Sequence, residues 1–227
     1  HYDGTDILVA NRMANEVIKI STSTHQKSTV LSADTTYLRN VLDVTEDGSY
    51  YYTLSRLANL NSYTTYICKW DMADGTRETC NFSTVRYGIA IAHYDGEIFA
   101  LQGGNIANAY RKVVILDASD LSNTANSVSY YQGNPYGYYA SNMDVDDASG
   151  DVYIVFREFN GRVRGYERSD SGTYCASSSC YTQRNTFARY PSSIDVQDGQ
   201  VYVNGYYWSA YYGGMKRFPT AGGLTTT

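Results

Sequence analysis

Three observations predict an all-β chain of the β-propeller class. Short apolar strands meet across Asp-Gly turns, that hairpin recurs at a period near fifty residues, and helical periodicity is not convincing anywhere. The clearest copy is residues 191–205, PSSIDVQDGQVYVNG. A strand carrying Ile194 and Val196 enters the Asp198-Gly199 turn, and Val201 and Val203 alternate at period two beyond it. Asp-Gly supplies the positive φ values that a tight hairpin needs. Residues 41–54 (VLDVTEDGSYYYTL), 89–101 (IAIAHYDGEIFAL) and 143–156 (MDVDDASGDVYIVF) repeat the pattern, and HYDGTDILVA opens the chain with a partial copy. Aligned on Gly4, Gly48, Gly96, Gly150 and Gly199, the copies are 44, 48, 54 and 49 residues apart.

The repeat predicts one domain over 1–227, with about five blades near 1–34, 35–84, 85–133, 134–186 and 187–227. Strands are expected at 7–11, 16–21 and 29–32 in the first blade, and at 40–45, 49–55, 63–70 and 77–83 in the second. The third blade takes 88–93, 97–102, 111–117 and 127–131, and the fourth 142–146, 151–157, 162–168 and 179–184. The fifth takes 193–197, 200–206, 213–218 and a weak last strand at 224–227. Val and Ile dominate the inner strands while Thr, Ser and Arg dominate the outer ones, as expected when the fourth strand of a blade meets solvent.

Five four-stranded antiparallel blades need one strand more than this, and the shortfall is the innermost strand of the first blade. An unpaired inner strand would leave backbone groups without partners. A longer parent chain, imperfect closure, or a strand donated by another subunit would each account for it.

Charged residues make up 18% of the chain, and 25 tyrosines lift the aromatic share to 15%. That composition supports a packed core rather than disorder. A net charge of -5 and a pI near 5.1 argue against nucleic acid as partner, since it calls for a basic face. No apolar run is long enough for a membrane-spanning helix, so no membrane insertion is expected. The chain opens on His1 without a signal peptide, which reads as a processed or trimmed start and fits export.

Cys68 and Cys80 flank Asp74-Gly75 on two strands of one predicted hairpin, and Cys175 and Cys180 flank Ala-Ser-Ser-Ser two blades later. Both close pairs fall where a hairpin places them face to face, so two local disulfides and an oxidising, extracellular location are expected. A metal site fits less well: the spacing is looser than a zinc knuckle and no His stands near either pair. Asn81-Phe82-Ser83 is an N-glycosylation sequon, compatible with a secreted glycoprotein.

The stretches Asp6-Ile-Leu-Val-Ala-Asn, Asn15-Glu-Val-Ile-Lys-Ile and Ile194-Asp-Val-x-Asp-Gly-x-Val-Tyr-Val resemble the NHL and YVTN-type propeller repeats. The resemblance implies a secreted bacterial or archaeal propeller. Families of this kind include lactonases, streptogramin lyases, surface adhesins and binding platforms, so it supports fold more than function.

Candidate chemistry is sparse. His93 precedes the first turn of blade three, His1 holds the matching place in blade one, and His25 lies in the third-to-fourth strand connection of blade one. These connections lie opposite the usual binding mouth, so the histidines read as turn residues and no catalytic residue is assigned. Asp43, Asp144 and Asp195 hold one position in three first strands. A ring of carboxylates could hold a cation such as Ca2+. The preferred reading is that each accepts hydrogen bonds from turn or loop amides of its own blade, with no metal and no cofactor. The acidic run from Asp144 to Asp151 lacks calcium-loop spacing.

Tyrosine is the informative excess. The connections into the first strands hold Tyr37, Tyr87, Tyr138, Tyr139 and Tyr190, and a second-to-third strand connection on the same face adds Tyr207, Trp208 and Tyr211. Such a face suits sugar stacking or protein contact, because Tyr buries a large area and keeps a polar tip. Packing between blades is the competing account.

These features predict a secreted, non-enzymatic structural or adhesive module that self-associates, in one form into a filament or matrix, or meets another extracellular protein or glycan. A lectin-like carbohydrate binder using the aromatic face is the first alternative, and a propeller lyase or hydrolase the second.

Overall fold

The computed structural model describes residues 1–2, 4–32, 36–56, 64–103, 112–130, 139–157, 161–174, 182–185, 191–205 and 214–220, and their regular elements are all strands. The first sheet is β1 (Asp6–Asn11), β2 (Glu16–Ser21) and β3 (Lys27–Ser32). The second is β4 (Val41–Glu46), β5 (Tyr50–Arg56), β6 (Thr65–Asp71) and β7 (Arg77–Asn81). The third is β8 (Gly88–Tyr94), β9 (Glu97–Gln102), β10 (Lys112–Asp117) and β11 (Asn123–Ser129). The fourth is β12 (Tyr139–Val145), β13 (Val152–Arg157), β14 (Arg162–Tyr166) and β15 (Thr182–Asn185). The fifth is β16 (Pro191–Gln197), β17 (Gln200–Gly205) and β18 (Gly214–Pro219). Each sheet joins strands that follow one another in sequence, which is the blade order of a β-propeller.

The first sheet has three full strands, as the repeat count predicts. On the open edge of β1, Tyr2 bridges Ile7 and the Leu8 amide donates to the His1 carbonyl at 2.8 Å. The last strand expected in the fifth sheet, at 224–227, lies outside the described residues.

The chain divides into two compact units, one of His1–Ala100 with Ile115–Thr124 and one of Leu101–Val114 with Ala125–Thr227. In the first unit, Leu8, Val17 and Leu31 of the first sheet pack on Val41, Val44, Tyr51, Tyr66, Cys68 and Trp70 of the second. Trp70 keeps its indole N–H bonded to the Thr53 hydroxyl at 2.9 Å, so the ring is buried without an unpaired donor. In the second unit, Tyr153, Val155 and Val163 pack on Ile194, Val196, Val201, Val203 and Phe218. Second strands such as β5 and β9 are buried along almost their whole length, covered on both faces, while the outer β3 is largely exposed and β7 is exposed or half-buried.

The turns carry the repeat in their hydrogen bonds. Asp95-Gly96 and Asp198-Gly199 both take positive φ at both residues. In the second sheet only Gly48 does so, and the Asp47 carboxylate caps the amides of Ser49 and Tyr50 instead. The third-to-fourth strand turns of the first three sheets share one six-residue form. Asp71 N bonds Thr76 O and Gly75 N bonds Asp71 O; Asp117 N bonds Ser122 O and Leu121 N bonds Asp117 O; Ser21 N bonds Gln26 O and His25 N bonds Ser21 O. The second residue of each turn then donates to the hairpin turn of its own sheet, as Met72 N does to Ser49 O at 3.0 Å and Ala118 N to Gly96 O at 2.8 Å. The first three blades are thereby clipped at one end.

Candidate functional site

The inner-strand carboxylates define a site of their own. A β-bulge lies at Val41/Asp43 in β4, and bulges re-aim the side chains beside them; Asp144 sits in regular register, paired with Tyr153 of β13. Asp43 Oδ1 accepts the Val44 amide at 3.0 Å, and its Oδ2 accepts the Ile91 amide of β8 at 2.8 Å. Asp144 Oδ1 accepts the Val145 amide at 2.9 Å, and its Oδ2 accepts the Val196 amide of β16 at 2.7 Å. The partner is therefore the inner strand of the next blade, not turn or loop amides of the same blade. The physical reason is the free edge of that strand, whose amides have no ladder partner and need an acceptor.

Asp195 is exposed and makes no hydrogen bond among the described residues, so it is not part of this device. Each of the other two carboxylates is enclosed, although its residue keeps some exposed surface. Burial pushes Asp43 up to about 6 against the pull of the Ile91 amide, and burial together with the Asp195 charge pushes Asp144 up to about 8 against the pull of the Val196 amide. Among the described residues no three His, Cys, Asp or Glu side chains are grouped to hold a metal ion.

The histidines belong to structural contacts. His93 stacks on the Tyr52 ring with centroids 6.1 Å apart. Tyr52 is fully buried, and its hydroxyl donates to Asp47 Oδ2 at 2.6 Å with the Ala118 carbonyl 3.1 Å away. Burial and the Asp47 bond raise the phenol well above its ordinary range. Burial pushes Asp47 the other way from its bonds, but the Tyr52 hydroxyl and the Ser49 and Tyr50 amides outweigh it and hold the carboxyl low. His25 occupies a left-handed turn position, and the His1 carbonyl pairs with Leu8.

Of the aromatic set, Tyr37 and Tyr87 are described. Tyr37 is half-buried, with the Arg77 guanidinium 3.8 Å over its ring and Phe82 5.9 Å from it. Phe82 also tilts against buried Tyr66 at 5.4 Å and stays 44% exposed. Phe82 is the member that tyrosine counting missed, and its place at the end of an outer strand was the available signal. Tyr87 is half-buried and takes φ 54°, turning the chain into Gly88. Tyr138, Tyr190, Tyr207, Trp208 and Tyr211 lie outside the described residues, as does the side chain of Tyr139, whose backbone begins β12.

Cys68 and Cys80 form the expected disulfide between directly paired residues of β6 and β7. Cys175 and Cys180 lie outside the described residues. The sequon residue Asn81 is half-buried and works as a cap. Its Nδ2 donates to Leu121 O at 2.8 Å and Thr84 Oγ1 at 3.0 Å, while its Oδ1 accepts the Ser83 and Thr84 amides. A glycan on that nitrogen replaces one of its two hydrogens, so at least one of these donations would be lost.

Antiparallel sheets of consecutive strands, joined by inner-strand staples, make this a β-propeller protein. Solved propellers agree. The structure of U3-55K covers 89% of this chain and 55% of its own at 12% identity and TM-score 0.60, and the WD40 repeats of RRP9 give 12% identity and 0.59 over 89% and 54%. BamB from Moraxella catarrhalis gives 13% identity and 0.52, over 96% of this chain and 56% of its own. Hydrazine synthase of Kuenenia stuttgartiensis, an enzyme by name, gives 12% identity and 0.58 over 96% and 63%. The chain thus spans between half and two thirds of the length of these structures, and at such identities the likeness is one of fold. No family model and no curated protein sequence matches the chain.

Proposed function

We propose that this propeller is an extracellular structural or adhesive module that acts by contact with other macromolecules, copies of itself included, and that it assembles into a filament or matrix. The observation that carries this reading is where the reactive side chains go. Asp43, Asp144, Tyr52, Asp47 and His93 are all engaged in joining or bracing blades, so the functional burden falls on turns and connections at the blade ends. The Cys68–Cys80 disulfide supports an oxidising compartment. The test is light scattering of native material with negative-stain images of the same sample. Assemblies that survive dilution are expected, whereas monomers of 25.4 kDa at every concentration would end the self-association reading.

Carbohydrate binding is the second reading, favoured by the exposed Phe82 ring resting on Tyr66 beside Tyr37. Glycan-array binding that disappears in Phe82→Ala would support it.

A further inference from the structure

Charge is distributed unevenly along the blades. A blade has two ends. One holds its first-to-second and third-to-fourth strand turns; the other holds its second-to-third connection and the link to the next blade. In the first unit the turn end carries Asp47, Asp71, Asp74, Asp95, Asp117 and Asp120. Among the described residues the cations near it are Lys19, paired with Asp6, Lys27, whose ammonium reaches Glu16, Arg77, lying over Tyr37, and Lys69, buried against Tyr50. The opposite end carries Arg12, Arg39, Arg56 and Arg86, with Glu16 the one described carboxylate there.

The second unit repeats the pattern on its own sheets. Asp147, Asp151, Glu167, Asp170 and Asp198 stand at the turn ends beside Arg168 and, on β18, Arg217, and Lys112, Arg157 and Arg162 stand at the other ends with no carboxylate among the described residues. The overall charge of -5 conceals this division.

Turn chemistry explains the acids. Asp71, Asp74, Asp117 and Asp120 each accept a backbone amide within their own turn, at 2.7 or 2.8 Å. Bonds from Thr76 and Ser119 hold Asp74 and Asp117 below the ordinary carboxylate range, so both stay charged at neutral pH. Arg12 donates to Asn40 Oδ1 at 3.4 Å, and Arg12, Arg39 and Arg86 are exposed.

We propose that these two ends bind each other between copies, the arginine end of one first unit seating on the carboxylate end of the next, so that copies stack head to tail. The inference rests on the self-association reading and names its surface. A head-to-tail contact leaves one end of each kind open after every addition, so it propagates instead of closing as a two-fold dimer does. Guanidinium groups suit this role because they meet carboxylates with two parallel hydrogen bonds. Exposed ion pairs are individually weak and are screened beyond about 10 Å in 0.1 M salt, so the stack depends on many of them and on ionic strength.

The test is particle size of the full chain by light scattering between about 10 mM and about 0.5 M salt. It is repeated on Arg39→Glu/Arg86→Glu and on Asp74→Asn/Asp95→Asn/Asp120→Asn. Asparagine keeps the turn-capping oxygen and removes only the charge, and circular dichroism reports whether each variant is folded. Expected are assemblies at low salt that fall to 25.4 kDa at high salt, and both variants monomeric at low salt. Adding Asp74→Lys/Asp120→Lys to the arginine variant reverses both ends and should restore assembly. Assemblies that keep their size in high salt and in both variants would overturn the head-to-tail contact while leaving self-association standing. Monomers under every condition would overturn both.

Discussion

The Asp43 carboxylate accepts the amide of Ile91, 48 residues further along the chain, at 2.8 Å, and so ties the inner strand of one blade to that of the next. Asp144 repeats the bond to Val196, 52 residues on, at 2.7 Å. A blade cannot bury its hydrophobic face alone, and these bonds fix the seam where neighbouring faces meet.

Removing either carboxylate leaves an enclosed amide without an acceptor. Asp43→Ala and Asp144→Ala should each destabilise the fold by about 1–3 kcal/mol. Urea denaturation measures this, and a midpoint unchanged from the parent would show the bonds to be dispensable.

The same carboxylates set a pH dependence. Both are raised from 3.8, to about 6 for Asp43 and about 8 for Asp144. Between those values and 3.8 the folded state holds protons that the unfolded chain releases, so their contribution is fully present below about pH 4 and is lost as pH rises through about 6 and then 8. Melting temperature should therefore fall from pH 5 to pH 8.5 more steeply in the parent than in Asp144→Asn. Parallel pH profiles would rule the coupling out.

Gly88 opens β8 against the second sheet. A Cβ there would meet Leu54 Cδ1 at 2.7 Å and Thr65 Oγ1 at 2.9 Å, and the Gly88 amide already bonds that hydroxyl. Gly88→Ala should cost about 1–3 kcal/mol through overpacking. Thermal melting checks it against Gly96→Ala, where a Cβ meets nothing within 4 Å and the strain comes from φ 74° alone.

The Cys68–Cys80 bond closes a loop of sequence separation 12. Cys68→Ser/Cys80→Ser should lower stability by about 2–3 kcal/mol, and reducing agent should lower the parent by more than the variant, which keeps Cys175 and Cys180. Equal sensitivity of the two proteins to reductant would point to another disulfide as the stabilising one.

Asn81 bridges the end of β7 to the Leu121 carbonyl in the β10–β11 turn. Asn81→Ala should cost about 1–2 kcal/mol. Peptide mass spectrometry of folded protein from a glycosylating host should find this asparagine unmodified, and a glycan there in correctly folded material would contradict the capping role.

The sequence by itself determined the blades. Period-two apolar strands around Asp-Gly turns fix local pairing, because turn geometry and side-chain alternation act within a dozen residues, and the spacing of Gly48, Gly96, Gly150 and Gly199 carried that into a repeat. The Cys68–Cys80 pairing was legible for the same reason: the two residues face each other across one hairpin. Only the tertiary structure decided the partners of Asp43 and Asp144, since each carboxylate meets an amide about fifty residues away and no local pattern encodes that meeting. It also separated Tyr37, packed under Arg77, from exposed Phe82 beside it, because exposure depends on which neighbouring elements cover a ring. The division of charge between blade ends sits between the two cases. Every acid and arginine is visible in the sequence, but their sorting by end appears only when strand direction places the turns together.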